Sequence, residues 1–221
     1  MPGIACDEGQ ADERDKILQT NMAKLYFRYS AMNAGKSTAL LQVAHNYEER
    51  GRAVLIFTSD LDDRYGTGIV SSRLGLKRKA PTYDAWFDFE TYMRVQKDVS
   101  CVLVDEAQFL TPDQVRQLHR VAHVQNIPVI CYGIRSDFVG EPFPGAAYLL
   151  TLADSLEEIK TICNCGKKAT MNPRVDDEGR RITVGAQIAI EGETRYAPMC
   201  GRCFYDEKAR AEPVALAKGI V

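Results

Sequence analysis

The chain has 221 residues, 45% of them hydrophobic, and a formal net charge of −2. That length suits one good core with room for a small appendage, and the near-neutral charge gives no global electrostatic footprint for nucleic acid. No run of 18 apolar residues offers a membrane span, and residues 1–21 are polar and acidic, which excludes a signal peptide and predicts a disordered extension with Met22 as an alternative start.

Pattern begins after Met22. Leu25-Tyr26-Phe27-Arg28-Tyr29 reads as a strand and Thr38-Ala39-Leu40-Leu41-Gln42-Val43-Ala44 as a helix. Between them lies Ser30-Ala31-Met32-Asn33-Ala34-Gly35-Lys36-Ser37. A loop ending in Gly-Lys-Ser between strand and helix is a phosphate cradle. Its amides and the helix N-terminus face the anion, the lysine adds charge on the outer phosphates, and the Ser37 hydroxyl is placed to ligate Mg²⁺. The pattern usually opens with Gly; here that position is Ser30. Ala53 to Thr58 is a continuous apolar run, hence a buried strand, completing a βαβ unit.

Asp60 to Lys79 carries Asp62-Asp63-Arg64-Tyr65-Gly66 and the basic patch Lys77-Arg78-Lys79. It reads as a mobile, solvated loop, with contact to a nucleotide as the alternative. Phe87 to Gln96 is a helix candidate. Ser100 to Val104 is an apolar strand ending in Asp105-Glu106. An aspartate there belongs near the Ser37 hydroxyl and Mg²⁺, and the adjacent Glu106 belongs at the γ-phosphate, where a base would act. Thr111-Pro112-Asp113-Gln114 starts a helix with a capping box. On that helix His119 and His123 share a face, but the intervening residues lack a Glu base, so a solvated face is expected. Pro128 to Tyr132 is another buried strand. The loop Gly133 to Gly145 leaves its carboxyl end, where ligands bind in open α/β sheets; Phe138 and Phe143 are either core plugs or ligand contacts. A short helix at 146–153 and a last strand from Glu158 to Ile162 follow, with a domain boundary near Ile162.

Of seven cysteines, Cys101 and Cys131 sit in strand-like runs as inert core thiols, and Cys6 lies in the polar extension. Cys163-x-Cys165, 34 intervening residues, then Cys200-x₂-Cys203 supply four thiolates in two pairs, the ligand set of a closed structural zinc site. The intervening segment, with a hairpin from Asn172 to Ile182, has too little apolar content to fold alone. A metal can add roughly 10–16 kcal/mol to such a module. The odd cysteine count, without an export signal, predicts a reducing, cytoplasmic setting. From Arg210 the tail looks unanchored.

These motifs together resemble the type II thymidine kinases, bacterial branch, from Met22 to about Asp206. The likeness rests on the Tyr29–Thr38 loop, Asp62 to Gly66, Val104-Asp105-Glu106-Ala107-Gln108-Phe109, Tyr132 to Phe138 and the two cysteine pairs. It implies an α/β fold: a RecA-like phosphate-loop domain with a mostly parallel sheet at 22–162, and a small zinc-binding, β-rich domain with a lasso loop at 163–206. Residues 1–21 and 207–221 would be flexible ends. It implies a kinase moving the γ-phosphoryl group of ATP to the 5′-hydroxyl of thymidine, with Glu106 as base. ATP contacts fall on Ser30, Ala31, Met32, Asn33, Ala34, Gly35, Lys36 and Ser37, on Asp62, Asp63 and Arg64, and on Asp105, Glu106, Ala107 and Gln108. Nucleoside contacts fall on Met32, Phe109, Ile134, Phe138 and Phe143. The lasso supplies Gln187, Ile188, Ala189, Ile190, Glu191 and Tyr196. Zinc falls on Cys163, Cys165, Cys200 and Cys203, Mg²⁺ on Ser37 and Asp105. The likeness further implies a homotetramer inhibited by dTTP, with no membrane or nucleic-acid partner.

Two rivals stand beside it. Asp105-Glu106-Ala107-Gln108 also looks like a helicase acid motif, although such motors need two ATPase domains or a ring. A non-enzymatic zinc module binding nucleic acid has only Lys77-Arg78-Lys79 in support.

Overall fold

The computed structural model describes residues 22–62, 66–188 and 195–209. β1 (Leu25–Tyr29) leads through the Gly-Lys-Ser loop to α1 (Lys36–Glu48) and β2 (Ala53–Ser59). Then come β3 (Ile69–Ser71), β4 (Lys77–Lys79), β5 (Thr82–Tyr83), α2 (Phe89–Arg94) and β6 (Val99–Val104). A 3-10 turn at Ala107–Phe109 precedes α3 (Pro112–Val124), β7 (Val129–Gly133), α4 (Pro144–Leu152) and β8 (Ser155–Glu158). The chain continues through β9 (Arg174–Val175), β10 (Arg181–Ile182), β11 (Arg195–Tyr196) and α5 (Gly201–Tyr205).

Six strands form one parallel sheet in the order β5-β2-β6-β7-β1-β8. The central strands are apolar on both faces because both faces are covered. Phe27, Val102, Val104 and Cys131 point toward α2, α3 and α4, whose Phe89, Leu118 and Leu149 join them. On the other face Leu103, Ile130 and Tyr132 meet Leu40, Leu41 and Ala44 of α1. The expected capping box is present: the Thr111 side chain accepts from the Gln114 N–H, and the Gln114 side chain accepts from the Thr111 N–H.

Several boundaries differ from expectation. The described residues of the stretch after β2 include a hairpin that was not expected: β3 and β4 pair antiparallel, Val70 is buried against the α1 face, and Arg78 is bound to Glu48 of α1. β5 was not anticipated. It is a two-residue edge strand paired with β2 and anchored by the buried Tyr83. The last parallel strand is Ser155–Glu158 instead of Glu158 to Ile162. Ile162 is 71% exposed, and β8 is an edge held by its backbone pairing to β1. Helix α4 begins earlier, with Pro144 in its first turn.

The remaining structure is a three-stranded antiparallel sheet in the order β10-β9-β11 beside the cysteines. Its apolar cluster gathers Val175, Ala197, Met199 and Phe204 with Cys163 and Cys200. It also takes in Ala31, from the tip of the Gly-Lys-Ser loop.

Candidate active site

The Gly-Lys-Ser loop turns into α1 at Gly35, whose φ of 83° is left-handed, a conformation glycine adopts without a Cβ penalty. Lys36 is buried and folds over the loop, its Nζ donating to Ser30 Oγ at 3.2 Å. The Ser30 N–H donates to Gly133 O at the end of β7, 3.2 Å away, tying the loop to the sheet. Ser37 Oγ donates to Asp105 Oδ2 at 3.0 Å. Asp105 is buried at the end of β6. Burial first, and the Glu106 carboxylate second, push the Asp105 carboxyl up to about 7, while the Ser37 hydroxyl and Lys36 pull the other way. An alcohol and a carboxylate side by side form an all-oxygen donor set fitted to a hard cation such as Mg²⁺.

Glu106 follows with φ 51° and ψ 39°, left-handed for a non-glycine residue. Two neighbours hold it there. The Tyr83 hydroxyl donates to Glu106 O at 2.9 Å, and the Gln108 amide donates to Glu106 Oε2 at 2.5 Å. Gln108 is itself fixed, since Ile134 N–H donates to its Oε1 at 3.2 Å. That side chain lies against Gly133, where any Cβ would come within 2.8 Å of Gln108 Oε1. A backbone outlier over-determined by its surroundings is the kind of strain found at functional sites.

Of the expected nucleoside contacts, Met32, Phe109, Ile134 and Phe143 share one apolar cluster, with Phe109 and Phe143 packed edge to face at 5.8 Å. Phe143 is therefore a core residue as well as a candidate wall. Phe138 is buried beneath the Arg174 guanidinium, 4.0 Å from its ring centroid, and the same guanidinium lies 5.5 Å from the Tyr196 ring centroid. Gln187 donates to Asp137 Oδ2 at 3.1 Å, and Ile188 is 39% exposed. Asp62 lies just after β2, its N–H donating to Ser59 O. Asp63, Arg64, Ala189, Ile190 and Glu191 lie outside the described residues, as do residues 1–21 and the tail from Arg210.

Four organising residues carry no role in the sequence reading. Arg174 donates to Ala186 O at 2.6 Å, Gln187 O at 3.1 Å and the Tyr196 hydroxyl at 2.9 Å. The Asp137 carboxylate accepts from the Val139, Gly140 and Glu141 amides, ordering the loop after β7. Asn172 is buried, and its Oδ1 accepts from the Met32 N–H at 2.6 Å. Tyr83 was hidden in a two-residue strand. A buried arginine or asparagine in a polar hairpin has no local pattern; only the long-range contacts reveal it.

The four cysteines converge: the Sγ atoms of Cys163, Cys165, Cys200 and Cys203 all lie within 4.8 Å of one another. Cys165 and Cys200 sulfurs are 3.6 Å apart and none of the four is in a disulfide. Tetrahedral thiolates at about 2.3 Å from a metal would stand about 3.8 Å apart, so the set fits zinc.

A parallel α/β sheet with a Gly-Lys-Ser loop opening α1, facing an acid pair at the end of a neighbouring strand, defines a phosphate-loop nucleotide-binding protein. The family model described as thymidine kinase matches residues 23–204. The chain belongs to the thymidine kinase family. It is 59% identical to the thymidine kinase of Chromobacterium violaceum over 84% of this chain and 100% of that one. It is 55% identical to that of Albidiferax ferrireducens, over 85% and 95%, and 57% identical to that of Idiomarina loihiensis, over 81% and 94%. A solved Pif1 helicase from Candida albicans overlays with a TM-score of 0.40 at 10% identity, covering 72% of this chain and 40% of that one, a likeness too low to bear on function.

Proposed function

We propose that this chain transfers the γ-phosphoryl group of ATP to the 5′-hydroxyl of thymidine, yielding dTMP. Family membership supports the chemistry. The observation that carries the mechanism is the tethering of Glu106 next to the Asp105–Ser37 pair.

The loop amides and Lys36 bind the phosphates and spread the charge that builds on them. Ser37 and Asp105 hold Mg²⁺, which when bound neutralises phosphate charge. Glu106 accepts the proton of the 5′-hydroxyl, and Gln108 aims its carboxylate. Positioning and electrostatics do most of the acceleration, because the transition state is loose. Met32, Phe109, Ile134, Phe138 and Phe143 wall the nucleoside. Contacts from Gln187, Ile188, Ala189, Ile190, Glu191 and Tyr196 belong to the same reading, with Arg174 holding the Ala186 and Gln187 carbonyls and the Tyr196 hydroxyl. Asp62, Asp63 and Arg64 complete the ATP side. Residues 163–206 form a zinc-holding unit whose four thiolates leave no open coordination position, so its zinc is structural. A homotetramer, feedback inhibition by dTTP and a cytoplasmic location belong to the same reading, supported by the family alone.

The test is ATP with a panel of nucleosides, scored for monophosphate. dTMP formation that requires thymidine supports the reading. ATP hydrolysis stimulated by DNA or RNA, with no nucleoside phosphorylated, overturns it in favour of a helicase-like motor.

A further inference from the structure

At the opposite end of the sheet from the phosphate loop, the fold completes a constellation of which the sequence showed two of three members. His119 and His123 lie one turn apart on α3, with ring centroids 4.4 Å from each other. The third member, Asp154, comes from the joint between α4 and β8, 31 residues beyond His123. Its Oδ2 lies 3.0 Å from His123 Nε2. One donor atom from each of the three residues lies within 4.8 Å of the others.

We propose that His119, His123 and Asp154 form a second metal site, for a divalent transition ion that favours imidazole, separate from the four cysteines. The donor spacing suits it. Cis ligands at about 2.1 Å from an octahedral ion stand about 3 Å apart, close to the 3.0 Å His123–Asp154 separation, and the His119 donor lies within 4.8 Å of both. The carboxylate is already oriented. Leu25 N–H donates to the same Oδ2 at 2.7 Å, and Asp154 N–H donates to Leu25 O at 2.9 Å, so the backbone of β1 supplies the outer support that metal ligands require. His123 lies in the last turn of α3, where the helix dipole favours a cation. The nearest arginines on α3 are committed elsewhere, Arg120 to Glu90 at 2.7 Å and Arg116 to the Tyr148 hydroxyl at 3.3 Å. The His123 and Asp154 side chains are 26% and 27% exposed, open enough to admit an ion and water for its remaining positions. Two imidazoles and one carboxylate favour Zn²⁺, Ni²⁺ or Cu²⁺ over Mg²⁺ or Ca²⁺. A bound ion would clamp α3 to the α4–β8 joint and the start of β1.

The test is titration of the untagged full chain, its cysteines zinc-loaded, with Ni²⁺ near pH 7.5, followed by calorimetry and by paramagnetic broadening of the histidine ring signals. The chain has three histidines, and His45 lies on α1. One saturable event is expected, broadening the signals of His119 and His123 while sparing His45. His119→Ala and His123→Ala should each weaken it by about tenfold or more, as loss of one of three ligands requires. Both changes sit on a half-exposed helix face, and retained thymidine phosphorylation shows that each variant folds. Equal broadening of all three histidines, absence of saturable binding, or unchanged affinity in both folded variants would overturn the proposal.

Discussion

Glu106 is held in a conformation its residue type disfavours, by Tyr83 at its carbonyl and Gln108 at its carboxylate. Its position after Asp105 was legible from the acid pair at the end of an apolar strand. Its tethers were not: Tyr83 reaches it through the fold, and Gln108, although only two residues on, is aimed by its contact with the Ile134 amide. A positioned base contributes about 10²–10⁴-fold. Glu106→Gln should therefore lower kcat on thymidine within that range while ATP affinity, measured by nucleotide titration, stays near wild type. Near-normal turnover would remove Glu106 from the base role. Arg174 tests the nucleoside side. Its planar fork serves two carbonyls and a phenol and lies over the Phe138 ring, which a lysine cannot reproduce. Losing even one such charge-assisted bond, worth about 1.5–3 kcal/mol, predicts that Arg174→Lys raises the thymidine KM about tenfold or more with little change in ATP affinity. Initial-rate measurements varying each substrate separate the two.

At the scale of elements, the parts with strong local chemistry were readable. The Gly-Lys-Ser turn, the Thr111 capping box and the apolar runs of β6 and β7 each carry a pattern within a few residues. The β3–β4 hairpin, β5 and β8 do not. They are short and lie outside the strongly apolar centre, and partners far away in sequence stabilise them. The unit around β9, β10 and β11 has a small apolar cluster and four converging thiols. A zinc held there would supply roughly 10–16 kcal/mol of apparent binding free energy, lost on its removal. Prolonged incubation with a strong chelator should release one zinc per chain, abolish thymidine binding and lower the melting temperature. A metal-free preparation that still phosphorylates thymidine would refute the structural role.

For the whole molecule, cysteine chemistry divides cleanly. Cys101 on β6 and Cys131 on β7 are fully buried; burial pushes the Cys101 thiol up to about 12 and the Cys131 thiol higher still. Neither should react with thiol reagents at pH 8 in the folded protein, since the thiolate is the reactive form. Chelation should add four reactive thiols per chain, and only denaturation should release the last two. Counting thiols with a chromogenic disulfide at each stage checks this.

Ala31 carries one more consequence. Because this residue of the Gly-Lys-Ser turn is packed among the side chains around the cysteines, and Asn172 satisfies the neighbouring Met32 amide, the segment 163–209 is no detachable accessory. A fragment stopping at Ile162 would lose both the covering of Ala31 and the acceptor for Met32, so its triphosphate affinity should fall even though every Gly-Lys-Ser residue is intact. Mixing the missing piece back in, with zinc, should restore that affinity in trans.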